Sequence, residues 1–470
     1  MMGRSMICAA VLVLMLVPAP VPVIAAVDNV AFQWTDLLST LMCSQFAAPL
    51  TAGIQQQLHL AQWHSLLALR GIGGGTTEEA VVAYASWKIL GHYFSFAQVL
   101  DLQIGPLLDT QLREAQVTLP QQILAQRIGE TVAMSMIARR GTTSSEFTLG
   151  AVKRALKAAA RPPPTGVFRF FDDSPAGQDA ATFFFSVMTL WRPFVIPDPV
   201  VFVETYLANL RPPKIPSKEW DDNWEGLKNI GRLDWPGRTA EMNLTANLIG
   251  CPRVNNNKCH FEQQATAAAQ SALPNGTSLY DSVLLLAKIS VTQYDAGIAQ
   301  SILKYGFWFW RPSQAYQEGD SKHAPIPNWT PFLPTPLEPE WPSGTVTFVS
   351  AGARPLQTFI GSGKKVSFTI EGGGTFDCEG FVGDPVPTRS YPSLEAFVKE
   401  AQLSRMYAGA HFQDAVNDGV VVGNTVADYV ESHWGQVTPS GTLPDLAFLN
   451  VMFTVPNKTG DFTPRSLDVK

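Results

Sequence analysis

Three short segments in the second half of the sequence hold the residues that could do chemistry. The first runs through aromatic neighbours from Lys304 to Arg311, as Lys304-Tyr-Gly-Phe-Trp-Phe-Trp-Arg311. On one helix a spacing of seven residues is ~700°, so it predicts two cations on the same face, two turns apart. Buried cations need a counter-anion. The alternatives are two separate surface charges, or an arginine bonded to backbone carbonyls at a helix end.

The second segment is Trp341-Pro-Ser343-Gly344-Thr345. A proline followed by serine predicts the start of a helix with Ser343 as its N-cap. Free backbone N–H groups at a helix start, together with a hydroxyl, form a site for anions. The alternative is an ordinary helix cap.

The third segment runs from Ser404 to Asp414 and contains Arg405, Gly409 and His411. It offers one more cation, a glycine that permits a tight backbone, and an imidazole. A lone histidine is usually structural, but one that shares an anion site with three cations is not typical of structural use. We therefore expect the three segments to converge on one enclosed, positively lined cavity.

In this order, the segments resemble the signature of the vanadium-dependent haloperoxidases and the related type 2 phosphatidic acid phosphatases. That signature is Lys, Arg-Pro, Pro-Ser-Gly-His, and then Ser-Arg with a histidine six residues after the arginine. The resemblance is clearest over residues 278–434, and the stretches 294–299 and 407–412 look like the secreted haloperoxidase branch. The N-terminal half matches more loosely, through Arg238-Thr239 and the helices at 79–100.

The resemblance implies a set of residues that bind vanadate: Lys304, Arg311, Ser343, Gly344 and Arg405. It implies that His411 binds vanadium axially, with vanadate as cofactor and hydrogen peroxide, halide and an organic acceptor as substrates. In a phosphatase of this superfamily there is no cofactor, and His411 would attack a phosphate ester to form a phosphohistidine.

The sequence departs from the family signature at Thr345, where the family has histidine. Threonine cannot titrate near neutral pH, and general acid catalysis contributes about 10²–10⁴-fold, so phosphatase turnover should suffer by about that much. Vanadate binding should survive. A third reading is therefore an inactive relative that binds oxyanions.

Other residues could modify this site. His323, in the loop before the second segment, is a candidate substitute for the missing histidine or a surface residue. Asp414, with Asp418 as a second candidate, could orient the imidazole of His411, or both could be solvated. Glu338 and Glu340 would oppose halide access if they face the pocket, and have no role if they lie on the surface.

The elements that must position these residues are helical. Apolar residues at helical spacing predict helices over 30–70, 79–101, 118–160, 199–210, 239–250, 260–272, 278–310, 343–360, 393–405 and 411–434. Pro-rich loops are expected at 161–235 and 311–342, and an excursion rich in Gly, Ser and Thr at 361–390. The predicted fold class is all-α: one large helical-bundle domain of the haloperoxidase type with long Pro-rich loops.

The first 26 residues resemble a secretory signal peptide, since a short apolar stretch is followed by small residues at its end. The predicted domain is therefore 27–470, with a helical scaffold half at 27–277, an oxyanion-site half at 278–434 and a tail at 435–470. Secretion agrees with four glycosylation sequons, at Asn243, Asn275, Asn328 and Asn457. It also permits disulfides, for which Cys251–Cys259 and Cys43–Cys378 are candidates.

Composition limits the class of protein. The 470 residues are 46% hydrophobic and 16% charged, which supports a large buried core. The formal net charge is −6 and there is no run of five or more basic residues, so we do not expect a groove that binds nucleic acid. Beyond the leader, no segment is long and charge-free enough to predict a membrane span.

Overall fold

A computed structural model describes residues 29–43, 48–140, 165–166, 168, 188, 191–250, 253–254, 261–336, 338–361, 363–376 and 382–437. The leader and residues 438–470 lie outside the described residues. So do Cys251, Cys259, Cys378 and the side chain of Cys43. The signal peptide and both disulfides therefore stay predictions.

Helices make up most of the described chain. Before the site they are α1 (Val30–Cys43), α2 (Ala48–Gly71), α3 (Glu78–Tyr93), α4 (Ala97–Val99), a π-helical turn (Leu100–Ile104), α5 (Gly105–Glu114), α6 (Leu119–Arg140), α7 (Pro199–Tyr206), α8 (Lys218–Lys228), α9 (Ala240–Gly250) and α10 (Phe261–Ala272). Around the site they are α11 (Leu279–Phe307), α12 (Pro312–Glu318), α13 (Gly344–Ile360), α14 (Leu394–Tyr407) and α15 (Gln413–Val437).

The few strands of the described chain form two small antiparallel pairs at the edge of the helical core, to which Phe368, Ile370, Phe376 and Tyr391 contribute. Strand β1 (Arg253–Val254) pairs with β3 (Thr375–Phe376), and β2 (Phe368–Ile370) pairs with β4 (Arg389–Tyr391). Strands β2 and β3 lie within the predicted excursion at 361–390, and β4 begins within it. The prediction of an all-α helical bundle is confirmed.

Helix α11 lies at the centre of the bundle. It is buried over nearly its whole length, as expected of a helix that is apolar on every side. It packs against α2, α13 and α15, and α13 packs against α15. Asp295 on α11 accepts hydrogen bonds from the backbone N–H groups of Phe194, Val195 and Ile196 at 2.7–3.0 Å. One buried carboxylate thereby fixes an irregular loop onto the central helix.

Local sequence explains where several helices begin and which one was missed. Thr77 caps α3 by accepting from the N–H of Ala80, as its position predicts. Helix α8 lies inside the stretch that we expected to be a Pro-rich loop. Ser217 caps it, and it buries Trp220 and Trp224 on one face. Spacing of four residues between these tryptophans is a helical signal that the surrounding prolines obscured.

Within the described residues, no helix combines the length and the apolar character that a bilayer crossing requires.

Candidate active site

Lys304 and Arg311 are both fully buried, but not as two residues of one helix. Helix α11 ends at Phe307, and Trp308 has a left-handed backbone with φ of 52°. Arg311 then precedes α12 in extended conformation. The helical-face argument was therefore wrong for this pair, although the two cations do meet. Both contact the segment 338–340, where the chain passes over them on its way to α13.

The ammonium group of Lys304 is held by the backbone of that segment. Its Nζ donates to the carbonyl of Pro339 at 2.6 Å and to that of Glu340 at 3.1 Å. The carboxylate of Glu338 lies 3.6 Å away. Since an ammonium has three donors, one direction is open to the Glu338 carboxylate or to another anion.

The guanidinium of Arg311 links Glu338 to His411 through its hydrogen bonds. Its Nε donates to the Glu338 carbonyl at 2.8 Å, and its Nη2 donates to the Glu338 carboxylate at 3.3 Å. Its Nη1 lies 2.9 Å from the carbonyl of Ala410 and 3.0 Å from Nε2 of His411. The carbonyl contacts that we gave as a structural alternative for Arg311 are present, together with the predicted approach to His411.

The contacts of His411 fix its tautomer. A guanidinium only donates, so Nε2 of His411 must accept from Arg311. The proton is then on Nδ1, which donates to Oε1 of Glu340 at 3.0 Å. The N–H of Phe412 also donates to that oxygen, at 2.9 Å. The lone pair that could bind a metal or attack phosphorus is therefore on Nε2, among the cations.

The turn before His411 depends on Gly409. This glycine has φ of 72°, and a Cβ there would lie 2.4 Å from the carbonyl oxygen of Gly231. The predicted tight backbone is thus confirmed, because a larger residue would be both strained and obstructed.

Of the three cations at the site, Arg405 is the one that forms no ion pair with a described residue. It lies near the end of α14 and is 7% exposed, and no described residue accepts a hydrogen bond from its Nε. Its head contacts Gly250, where a Cβ would be 2.6 Å from Nη1. Burial, with help from the nearby Arg311, lowers the pKa of Arg405 to about 10. A buried, unpaired guanidinium is costly unless an anion binds it.

The start of α13 provides further unpartnered donors. Ser343 is the N-cap, as predicted, but its buried hydroxyl makes no capping bond and has no described hydrogen-bond partner. The first N–H groups of a helix also lack acceptors within it, and Gly344 is the first residue of α13. Gln300, one turn before Lys304 on α11, lies against Gly344, which brings this helix start to the cation cluster. Thr345 follows in the same turn and is buried.

The pKa values around the site shift toward the uncharged forms. Burial lowers the pKa of Lys304 to about 8 and raises that of Glu340 to about 8. Burial, and then the charges of Arg311, Lys304 and Arg405, hold the pKa of His411 well below its usual value. His411 is therefore a neutral imidazole at physiological pH, next to positive charge that a bound anion would compensate.

Asp414 and His323 do not join this cluster. Asp414 bonds through its carboxylate and its N–H to Asn223 on α8, and the carboxylate on Nδ1 of His411 is that of Glu340. His323 contacts the carboxylates of Asp320 and Asp221 and stacks on a tryptophan, with ring centroids 4.5 Å apart.

Two remaining sequence candidates are structural in their contacts. Asp418 accepts from the indole N–H of Trp341 at 2.8 Å. Arg238, part of the looser N-terminal match, donates to the backbone carbonyls of Ile230 and Tyr407 and thereby supports the end of α14.

Sequence reasoning left the roles of Glu338 and Glu340 open, and the structure places both inside the site. They are 6% and 0% exposed. A signal was available, since both acids lie within the five residues that precede the predicted anion-binding helix start at Ser343. The sequence alone could not decide whether the side chains of Glu338 and Glu340 lie in the pocket or on the surface.

The donor set suits a tetrahedral oxyanion such as vanadate by charge and chemistry. Arg405 and the Ser343 hydroxyl lack partners among the described residues, and both are donors. His411 offers a neutral nitrogen. The carboxylate of Glu338, which already contacts Lys304 and Arg311, is the feature that opposes an anion. No group of three or more His, Cys, Asp or Glu side chains in the described ranges is arranged to hold a metal ion.

Comparison with known proteins gives one family match. Residues 284–438 match the family described as the VCPO second helical-bundle domain. That stretch contains Lys304, Arg311, Ser343, Arg405 and His411. A search of curated protein sequences gives no match.

Three solved structures share the fold. The first, described as the first bacterial vanadium-dependent iodoperoxidase, superposes with a TM-score of 0.64 at 18% identity, covering 86% of this chain and 97% of the other. A bacterial vanadium-dependent chloroperoxidase in holo form gives 0.61 at 13% identity, covering 88% and 99%. Its apo form gives 0.59 at 13% identity, covering 83% and 96%.

Proposed function

We propose that this chain, which has the fold of the vanadium haloperoxidases and carries their second helical-bundle domain, is a vanadium-dependent haloperoxidase-like protein. It would bind vanadate and oxidise halide with hydrogen peroxide. One observation carries the proposal: Nε of the buried Arg405 and the buried hydroxyl of Ser343 have no described hydrogen-bond partner, and the charges of Arg405, Arg311 and Lys304 help to lower the pKa of the buried His411. Such donors are expected where an anion binds.

Each residue has a definite task in holding vanadate. Lys304, Arg311 and Arg405 would neutralise its oxygens, while Ser343 and the N–H of Gly344 would donate hydrogen bonds to them. The neutral Nε2 of His411 would bind vanadium, in place of the hydrogen bond that it accepts from Arg311. Vanadate, when bound, supplies the centre at which peroxide is activated for halide oxidation.

The positions of Glu340 and the aromatic residues serve the imidazole. Glu340 holds Nδ1 of His411 and thereby directs Nε2 toward the cations. Phe412 packs edge-on to Trp220, with ring centroids 5.0 Å apart, and this contact fixes the residue that follows the histidine. Both features preorganise His411 before any ligand arrives.

Thr345 and Glu338 argue for slow turnover. The hydroxyl of Thr345 can donate a hydrogen bond but cannot act as a general acid near neutral pH. The carboxylate of Glu338 lies against Lys304 and Arg311, where its negative charge opposes halide access. We therefore expect weaker peroxidase activity than a histidine at 345 would permit.

The second candidate is a phosphatase that acts on phosphate monoesters, and the neutral, buried His411 favours it. An unprotonated imidazole beside cations is a competent nucleophile toward phosphorus, and it would form a phosphohistidine. Thr345 counts against it, since the leaving group would lack an acid. An inactive oxyanion-binding relative is the third possibility, favoured by the ion pairs of Glu338.

One set of assays separates these functions. Purified protein is incubated with orthovanadate and tested with peroxide and bromide on a phenol dye, and separately with p-nitrophenyl phosphate. Bromination only in the presence of vanadate supports the haloperoxidase. Hydrolysis inhibited by vanadate supports the phosphatase. A vanadate-dependent rise in melting temperature without either activity supports the inactive relative.

Secretion and glycosylation belong to the same proposal. Asn275 and Asn328 lie exposed, whereas Asn243 is half-buried and accepts from Arg238. Expression in a eukaryotic secretory host should therefore give a mature N-terminus near residue 27, with glycans at Asn275 and Asn328. An intact leader and an unglycosylated chain in the medium would contradict this.

A further inference from the structure

We infer that Glu338 competes with the oxyanion for the site. Its carboxylate contacts the cations Lys304 and Arg311 and must leave them before phosphate or vanadate can bind. This inference rests on the oxyanion site of the proposed function and states how access to that site is controlled. It assigns to Glu338 a role in determining affinity.

The geometry of Glu338 is that of a bound anion. Its Oε1 lies 3.3 Å from Nη2 of Arg311 and 3.6 Å from Nζ of Lys304. These are two of the three cations that line the site. A carboxylate and an oxyanion oxygen bind such donors in the same way, so both cannot use them at once.

The carboxylate is also incompletely satisfied, which makes it displaceable. Its Oε2 is buried and has no hydrogen-bond partner among the described residues. The contacts to Lys304 and Arg311 are longer than the 2.7–2.9 Å expected of strong charge-assisted hydrogen bonds. A tetrahedral oxyanion, with an oxygen for each donor, would fit the same cations better.

The backbone would keep the cations in place when Glu338 leaves. The carbonyls of Glu338, Pro339 and Glu340 hold Arg311 and Lys304 independently of the Glu338 side chain. A rotation of that side chain would therefore open the site without moving its walls. The third cation, Arg405, forms no ion pair with a carboxylate of the described chain. It can therefore bind an oxygen of the incoming anion before Glu338 moves.

Glu340 cannot play the same part. Its Oε1 is engaged by Nδ1 of His411 and the N–H of Phe412, on the side of the ring away from Nε2. It positions the imidazole, whereas Glu338 contacts the cations. This difference between two neighbouring acids gives an internal control.

The test is titration of wild type and Glu338→Gln with inorganic phosphate and with orthovanadate, read by calorimetry and by melting temperature. We expect Glu338→Gln to bind both anions more tightly by about ten-fold or more, because a competing charged hydrogen-bond acceptor is removed. Glu340→Gln should bind no more tightly than wild type. Glu431→Gln, which makes the same chemical change in a partly exposed pair with Lys288, should match wild type.

The outcomes separate this inference from the function on which it rests. Anion binding by both proteins with equal affinity, or weaker binding by Glu338→Gln, would overturn the inference and leave the proposed function intact. Binding only by Glu338→Gln would support the inference and overturn vanadate as the cofactor of the wild type. Absence of binding in both would overturn both.

A second variant guards against misfolding of the first. Glu338→Asp keeps the charge but withdraws the carboxylate by one methylene group, so its contact with Arg311 and Lys304 should weaken. We expect tighter phosphate binding here too, by less than in Glu338→Gln. Circular dichroism of each variant establishes that the fold is retained, and an affinity equal to that of wild type would count against competition.

Discussion

Two fully buried histidines lie in different regions of the bundle and have opposite surroundings. His59, on α2 in the scaffold region, lies between two hydroxyls: its Nε2 is 2.8 Å from Oγ1 of Thr35 and its Nδ1 is 2.5 Å from Oγ of Ser290. His411, in the site region, lies between a guanidinium and a carboxylate. Burial lowers the pKa of both imidazoles, that of His59 to about 3.

The difference teaches that burial and a shifted pKa do not by themselves mark a functional histidine. The partners of His59 are neutral and fully engaged, so they leave nothing for a ligand. Around His411, three cations face a single carboxylate within ion-pair distance, that of Glu338, and buried donors remain unpartnered among the described residues. The distinguishing property of the site is therefore unsatisfied positive charge rather than burial.

Replacing His411 should give the largest effect. His411→Ala should abolish turnover, whether peroxidase or phosphatase, because the only nitrogen lone pair directed at the cations is lost. The measurement is the vanadate-dependent bromination rate together with the rate of p-nitrophenyl phosphate hydrolysis. A variant with normal activity would mean that the assignment of His411 is wrong.

The matching change in the scaffold is His59→Ala. It leaves the hydroxyls of Thr35 and Ser290 without their shared partner and opens a cavity, so it should lower the free energy of unfolding by about 2–4 kcal/mol. Specific activity of the folded fraction should be retained. If activity disappeared with the fold intact, the separation between the two regions would not hold.

Introducing a histidine where the family has one should have the next largest effect. Thr345→His would put a titratable group in the first turn of α13, and general acid catalysis predicts a gain in turnover of on the order of a hundred-fold. The same two assays measure it. An unchanged rate in a variant that still binds vanadate would show that Thr345 is not the limiting defect.

The parts of the molecule that sequence predicts are those set by local rules. The starts of α3 and α11 follow from Thr77 and Ser278, whose side chains cap them, and Ser343 stands at the predicted N-cap position of α13 without a capping bond. The ordered motifs predict that Lys304 and Arg311 share one site. The prediction failed where local rules gave no signal. The spacing of Lys304 and Arg311 does not indicate that α11 ends between them at a left-handed Trp308, since a non-glycine residue rarely adopts that conformation.

The partners of His411 could not be predicted for a different reason. Asp414 is close in sequence, but α8 approaches α15 and Asn223 takes up its carboxylate. Glu340 is 71 residues away in sequence from His411 and reaches Nδ1 only through the tertiary fold. Such pairings depend on long-range packing, which a single sequence does not encode in any short pattern.

Two buried arginines can be compared by replacing each with a side chain of similar length and no charge. Arg405→Met should weaken phosphate or vanadate binding by about ten-fold, yet leave the melting temperature unchanged or higher, because it removes an uncompensated buried charge. Arg311→Met should lower the melting temperature, since it strips Glu338 and two carbonyls of their donor. Anion titration and thermal unfolding of both variants supply the data.

This pair tests whether Arg405 is reserved for a ligand. A clear drop in the melting temperature of Arg405→Met, with anion affinity preserved, would make Arg405 a structural residue like His59. The opposite pattern, with anion affinity lost and thermal stability kept, would make Arg405 a ligand-binding residue like His411.

The most gradual effect should come from the pH dependence of stability that Glu340 confers. Burial raises the pKa of Glu340 from 4.5 to about 8, so between these values the folded protein holds a proton that the unfolded chain has released. The stability contribution is full below pH 4.5 and is lost as pH rises through about 8, at up to about 1.4 kcal/mol per pH unit. Glu340→Gln cannot titrate and lacks this slope.

Urea unfolding of wild type and Glu340→Gln at several pH values between 5 and 8 measures the difference. The titrating groups that they share, His59 among them, contribute to both curves, so the difference in unfolding free energy should change steadily in favour of Glu340→Gln as pH rises. Parallel curves would mean that Glu340 is ionised in the folded protein across this range. It would then be a charged partner of His411, and the site would hold one more negative charge against an incoming oxyanion.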